Sequence, residues 1–86
     1  MPIVSRFFGI AIAFYWQDHL PPHFHAFYSG DEALINIRTG EALRGSLPPR
    51  AFSLVNEWRT LHVDALLENW ERARQRQALA YIDPLE

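Results

Sequence analysis

Between Phe7 and Trp16 the chain carries a large apolar side chain at every second position: Phe8, Ile10, Ile12, Phe14 and Trp16, with Gly9, Ala11 and Ala13 among the residues between them. Successive side chains of a strand point to opposite faces. The pattern therefore predicts a strand over residues 7–16 with a large core face and a small face that admits a close neighbour. Ile3–Arg6 is expected either to pair as a short leading strand or to extend this one. His23–Tyr28 reads as the next strand, Ser29-Gly30 as a two-residue turn, and Asp31–Arg38 as the return. Thr39-Gly40 marks a second tight turn before Glu41–Leu47. A three- to four-stranded antiparallel meander follows.

The period changes after Pro48-Pro49. A residue before proline avoids the α conformation, so Leu47 and Pro48 stay extended, whereas Pro49 suits a first helical position. From about Arg50 to Gln75 a 3.6-residue period places Ala51, Leu54, Val55, Trp58, Leu61, His62, Ala65 and Leu66 on one broad face, with Ser53, Asn56, Glu57, Asp64, Glu68, Glu71 and Arg74 opposite. Phe52, Val63 and Trp70 form a flanking apolar strip that makes the arc wider than one sheet contact needs. Either a kink near Asp64 turns the face, with Asp64 capping a second helix, or the strip is exposed and meets a partner or a second copy. Ala78–Glu86 is expected to be an irregular tail with Tyr81 and Ile82 docked on the body. Strands followed by helix indicate an α+β domain, one long or broken C-terminal helix packing against the meander. One domain spans 1–86: meander 1–47, helical part 48–76 and tail 77–86.

Composition narrows the chemistry. The 86 residues suffice for one domain, and twelve aromatic residues supply large core side chains. With no cysteine, disulfides, Cys-based zinc sites and a thiol nucleophile are excluded, and a cytoplasmic location is expected. No segment reads as a signal peptide, and the Phe7–Trp16 run is too short to span a bilayer. The net charge of −2 gives no bulk support for nucleic-acid binding. All eight basic residues are Arg, so a lysine nucleophile or Schiff base is excluded. Walker, dinucleotide-binding and serine-elbow motifs are absent, and no organic cofactor is implied.

The residues that can carry chemistry concentrate in Asp18-His19-Leu20-Pro21-Pro22-His23-Phe24-His25. His23 and His25, two apart on a strand, share the face opposite Phe24, Ala26 and Tyr28, and two imidazoles at that spacing can bind one divalent metal ion. His19 and Asp18 precede the Pro-Pro turn and can fold back as further ligands. His62, on the apolar helix face, is a fifth candidate. Catalysis would use His19, His23, His25 and Asp18 around an open metal position, or metal-free histidine acid–base chemistry. Asp18, Asp31 or Glu32 would serve as base and Arg38 or Arg44 as an anion clamp for an RNA phosphodiester. The competing reading is structural: histidines pair with aromatics across strands, and His62 is a core residue bonded to a carbonyl. Arg72, Arg74 and Arg76 read first as charges suited to the helix C-terminus.

The chain also resembles a small bacterial family known as a domain of unknown function, DUF4160. Residues 2–14 resemble its opening, Asp18–Ala26 with Pro-Pro-His-Phe-His-Ala its most distinctive motif, Ala33–Gly40 its next hairpin and Leu47–Pro49 the start of its helix. Glu57-Trp58, His62 and Leu66–Trp70 resemble the helix itself. Leu20 stands where family members commonly have Asn, which counts mildly against chemistry at the loop. The resemblance implies a neighbouring gene for a second small domain, in an arrangement that looks like a toxin–antitoxin pair. The leading expectation is therefore a protein-binding component of such a module, bound to the neighbouring gene product or to a second copy through Phe52, Val63 and Trp70. The alternative is a small metal- or His-dependent enzyme acting on RNA or another phosphodiester. A DNA-binding regulator is a weaker third reading, which the net charge disfavours.

Overall fold

A turn interrupts the alternation at the start of the chain. In the computed structural model, which describes residues 2–86, Phe8 and Gly9 both adopt positive φ (49° and 80°). That backbone joins two antiparallel strands through a two-residue hairpin turn. The segment 7–16 is thus not one strand: β1 is Ile3–Phe7 and β2 is Ile10–Ala13. Phe7 pairs with Ile10 and both are buried, while Phe8 at the tip is 59% exposed. Trp16 lies beyond β2 and is also exposed. Phe8 and Trp16 therefore leave the expected core face, whereas Ile10, Ile12 and Phe14 keep it.

The second hairpin follows the sequence closely. β3 (His23–Tyr28) and β4 (Asp31–Asn36) are joined by Ser29-Gly30, again both at positive φ. β5 is Ala42–Gly45, and spatial order equals chain order, β1-β2-β3-β4-β5. The fold is α+β, with five strands rather than three or four, because the leading segment is a strand in its own right. The turn after β4 is closed by Asn36, whose Oδ1 accepts from the N–H groups of Arg38 (2.8 Å) and Thr39 (3.1 Å).

Two helices complete the chain: α1, Pro49–Leu61, and α2, Val63–Arg74. Pro49 opens α1 as expected, but the break falls at His62 rather than Asp64. The His62 N–H donates to the Arg59 carbonyl and its own carbonyl accepts from Leu66, so this residue ends one helix and starts the next. Asp64 lies in the first turn of α2 without capping it, where a negative charge suits the helix dipole. The break lets both helices bury their own faces: Ala51, Val55 and Trp58 from α1, and Leu66, Trp70 and Ala73 from α2. Trp58 packs against Phe7 (5.2 Å between ring centroids) and Phe24 (5.9 Å). Burying side chains of this size stabilises the fold by about 1.5–3 kcal/mol each.

The C-terminal tail is irregular yet tied down. The Ile82 N–H donates to the Val4 carbonyl (2.8 Å), the Trp58 indole donates to the Asp83 carbonyl (2.8 Å), and Asn69 exchanges two hydrogen bonds with the Ala80 backbone. Ile82 and Leu85 are buried and Tyr81 is exposed. The tail thus runs beside β1, the edge of the sheet away from β5. No helix among the described residues is long and apolar enough to cross a membrane.

Candidate metal centre

The two-residue period of β3 sends Phe24 and Ala26 into the core and His23 and His25 to the other face. That second face is also covered locally. Tyr15 stacks on His25 (4.1 Å between centroids, 13° between planes), and Trp70 of α2 lies against His23 (5.2 Å). His23 and His25 are 4% and 5% exposed. The loop before β3 is anchored at both ends: the Gln17 N–H donates to the Ala73 carbonyl and the Ile37 N–H to the Pro22 carbonyl. Asp18 is thereby brought over the histidine pair.

The atoms converge in one pattern. Asp18 Oδ1 accepts from the His19 backbone N–H (2.9 Å). Asp18 Oδ2 lies 3.0 Å from His23 Nε2 and 2.9 Å from His25 Nε2. Each imidazole is tied back through its other nitrogen: His23 Nδ1 lies 2.8 Å from the Pro21 carbonyl oxygen and His25 Nδ1 2.9 Å from Glu32 Oε2. A carbonyl oxygen only accepts, so His23 Nδ1 carries the hydrogen. A carboxylate likewise makes His25 Nδ1 the donor. Both Nε2 atoms then face Asp18 Oδ2 with a lone pair or with a second proton. The same heavy-atom arrangement is satisfied by two imidazolium protons or by one cation held between the three atoms.

Burial pushes the Asp18 carboxyl up. The hydrogen bonds from His25, the His19 backbone N–H and His23, together with the charge on His23, outweigh it and hold the group below its ordinary value of 3.8. Asp18 is thus an anion at neutral pH, as a ligand must be. Among the described residues, Asp18, His23 and His25 form the group able to hold a metal ion, their candidate ligand atoms all within 4.8 Å of one another. Ligands about 2.1 Å from a common ion stand about 3.0 Å apart at right angles and about 3.4 Å apart in a tetrahedron. The Asp18–His separations already match the first spacing and need a few tenths of an ångström for the second.

Of the other expected residues, His19 is exposed and contributes its backbone N–H rather than its imidazole. His62 sits at the helix break with its ring against Trp58 (5.4 Å), outside the ligand group. Glu32 holds His25, while Asp31 is exposed at the start of β4. Arg38 lies in the turn after β4, whereas Arg44 is paired with Leu34, itself the partner of His25, and so shares the histidine face. Phe52 and Val63 are half-buried and Trp70 is 2% exposed, so the three do not form an exposed strip; the break at His62 turns Trp70 inward. Arg72 and Arg74 pair with Glu68 and Glu71 on their own helix. Leu20 is exposed beside the loop.

Two residues were not anticipated in their roles. Glu32 faces His25 because the Ser29-Gly30 hairpin sets Phe27 opposite Glu32, a diagonal neighbour of His25 on the same face; the hairpin register carried that signal. Tyr15, whose ring covers His25, lies just past the end of β2 at the same parity as Ala11 and Ala13, and Ala13 is the cross-strand partner of His25.

Two clefts open onto the centre. One is lined by Tyr15, Asp18, His25, Glu32, Leu34, Arg44 and Gly45, the other by Asp18, His19, Leu20, Pro21, His23, Leu34, Leu43 and Arg44. They share Asp18, Leu34 and Arg44, so each of the two histidines is reached from its own side. No match was found among curated proteins or among solved structures. A family model does match, over residues 9–71, and this span contains the whole centre. The chain belongs to the family described as domain of unknown function (DUF4160).

Proposed function

We propose that this protein binds one divalent cation of the zinc class through Asp18 Oδ2, His23 Nε2 and His25 Nε2, and holds it open to a further ligand. The observation that carries this reading is the convergence of both Nε2 atoms on one carboxylate oxygen, with both Nδ1 atoms tied back to oxygen acceptors. Histidine ligands of metal ions typically donate their second N–H to a carbonyl or carboxylate, which fixes the tautomer and the ring plane. Pro21 and Glu32 supply both kinds of acceptor. Two nitrogens and a carboxylate oxygen suit a borderline ion. Three protein ligands leave at least one position for water or substrate, the arrangement of a reacting ion rather than a purely structural one. An ion held there would acidify a coordinated water, chemistry that suits hydrolysis as the class of reaction.

Zinc titration of the folded protein, with a competing chelator indicator, tests the proposal. One equivalent is expected to bind, and His23→Ala/His25→Ala should abolish that binding while circular dichroism shows the fold retained. Absence of zinc binding by the folded wild type, or binding indifferent to the double substitution, overturns it.

A second reading, as a protein-binding component of a two-gene module, draws support from β5. All four residues of that strand are exposed, and it ends the sheet with one side unpaired. Such an edge can accept a strand from another chain. Co-purification with the neighbouring gene product, abolished by Leu43→Pro, would support this reading, and a monomer that ignores that neighbour would exclude it.

A further inference from the structure

The geometry points to a phosphodiester as the ligand that completes the metal centre, bound by one phosphoryl oxygen on the ion and another on the guanidinium of Arg44; this inference rests on the metal reading above.

Three features carry it. The first is charge. Asp18 and Glu32 together balance a divalent ion, and both histidines are neutral once they coordinate. Arg44 then leaves the centre with a single positive charge. Among the described residues Arg44 has no carboxylate partner, whereas Arg72 and Arg74 are paired along their helix. A singly charged oxyanion neutralises this centre, and a diester carries one negative charge.

The second is shape. The centre lies between two adjoining clefts rather than at the end of one, and Asp18 and Arg44 belong to both. A ligand with its charge in the middle and a substituent on each side follows that groove. A phosphomonoester or a simple carboxylate fills one arm only.

The third is the chemistry of the arms. Tyr15 offers a partly exposed ring on the His25 side, and Leu20, Leu43 and Pro21 line the His23 side. Apolar and aromatic walls accept ester substituents of the aryl or nucleoside type without further charges. The guanidinium of Arg44 donates charge-assisted hydrogen bonds to the phosphoryl oxygen that is not on the ion. The overall charge of −2 opposes a long polyanion, so a short diester or a strand end is the fitting source.

The experiment uses the full chain loaded with one equivalent of zinc, zinc uptake being measured first. Binding is then followed by calorimetry with bis(4-nitrophenyl) phosphate, a dinucleoside monophosphate, inorganic phosphate and a tripeptide with a free carboxylate. Both diesters are expected to bind the zinc-loaded protein at least tenfold more tightly than inorganic phosphate or the peptide, and the metal-free protein more weakly still. A preference for the dinucleoside monophosphate assigns the source to a nucleic-acid end, and a preference for the aryl diester to a small molecule. Arg44→Ala, on an exposed strand, should keep zinc affinity within twofold and lose at least tenfold in diester affinity. Unchanged diester binding in Arg44→Ala, or equal binding of the tripeptide, overturns the inference while leaving the metal reading standing. Failure to take up zinc at the first step overturns both.

Discussion

Replacing Asp18 by Asn changes one oxygen to nitrogen at the point where two buried imidazoles meet, and its effect on stability should depend on pH with a definite sign. Consider the metal-free protein in chelator. Wild-type Asp18 Oδ2 lies 3.0 and 2.9 Å from the two Nε2 atoms, and the hydrogen bonds it accepts there help to hold its carboxyl below the ordinary value of 3.8. The amide puts hydrogens where those bonds are accepted, while its oxygen can still take the His19 backbone N–H. Losing two charge-assisted bonds at about 1.5 kcal/mol each, the low end because Asp18 is partly exposed, gives about 3 kcal/mol. For a domain of this size each kcal/mol moves the melting temperature by about 4–8 °C, so the gap should be about 12–24 °C. The Asp18 carboxyl is held below its ordinary value of 3.8. Its contribution is therefore fully present above that pH and fades as pH falls through the lowered value, so the gap should be open at about pH 6 and narrow as the pH is taken well below 3.8. Thermal melts in chelator at about pH 6 and at a series of pH values below 3.8 read this directly. No gap at about pH 6, or a gap that widens as the pH falls below 3.8, refutes the assigned network.

Other predictions follow from the same contacts. Glu32→Gln keeps the hydrogen bond to His25 Nδ1 and removes its charge, and zinc affinity measured with an indicator should fall by about tenfold. Zinc needs unprotonated ligand nitrogens, so zinc affinity should fall as the solution is acidified; affinity independent of pH excludes histidine ligands. Trp58→Phe removes an indole that donates to the Asp83 carbonyl, whereas the buried Trp70 indole has no acceptor among the described residues. Denaturant unfolding should therefore show Trp58→Phe to be more destabilising than Trp70→Phe by about 1 kcal/mol or more. Gly45→Ala places a Cβ against the Glu32 backbone carbonyl at positive φ, and should destabilise the protein and weaken zinc binding together.

The sequence was most legible where a local signal coincided with a tertiary one. Ser29-Gly30 carries residues suited to positive φ, so the β3–β4 hairpin and its register follow from it, and with them the shared face of His23, His25 and Glu32. Phe8-Gly9 forms the same kind of turn, but Phe is a poor match for positive φ and continues the apolar alternation across it. Pro49 marked the helix start correctly because proline fixes φ and gives up an N–H that is unpaired there anyway. The break at His62 carries no Gly or Pro and no side-chain cap; Asp64 looks like the boundary and lies in the first turn of α2, two residues past the break.

At the centre, the spacing of His23 and His25 was enough to place both rings on one face. It could not show that the loop folds Asp18 over them while His19 turns outward. That choice depends on backbone bonds from Gln17 to Ala73 and from Ile37 to Pro22, contacts with residues distant in the chain. For Trp70 the sequence leaves two readings open, a face turned by a kink near Asp64 or an exposed strip with Phe52 and Val63. Its burial against His23 agrees with the first, the break falling at His62.

One ion held by two imidazoles and one carboxylate has a spectroscopic signature that X-ray absorption at the zinc edge, on the zinc-loaded wild-type protein, measures directly. Nitrogen and oxygen ligands are expected at about 2.0–2.2 Å, with the outer-shell scattering of two imidazole rings, and one ring fewer in His25→Ala. A spectrum showing only oxygen ligands, or one unchanged by His25→Ala, would contradict this ligand set.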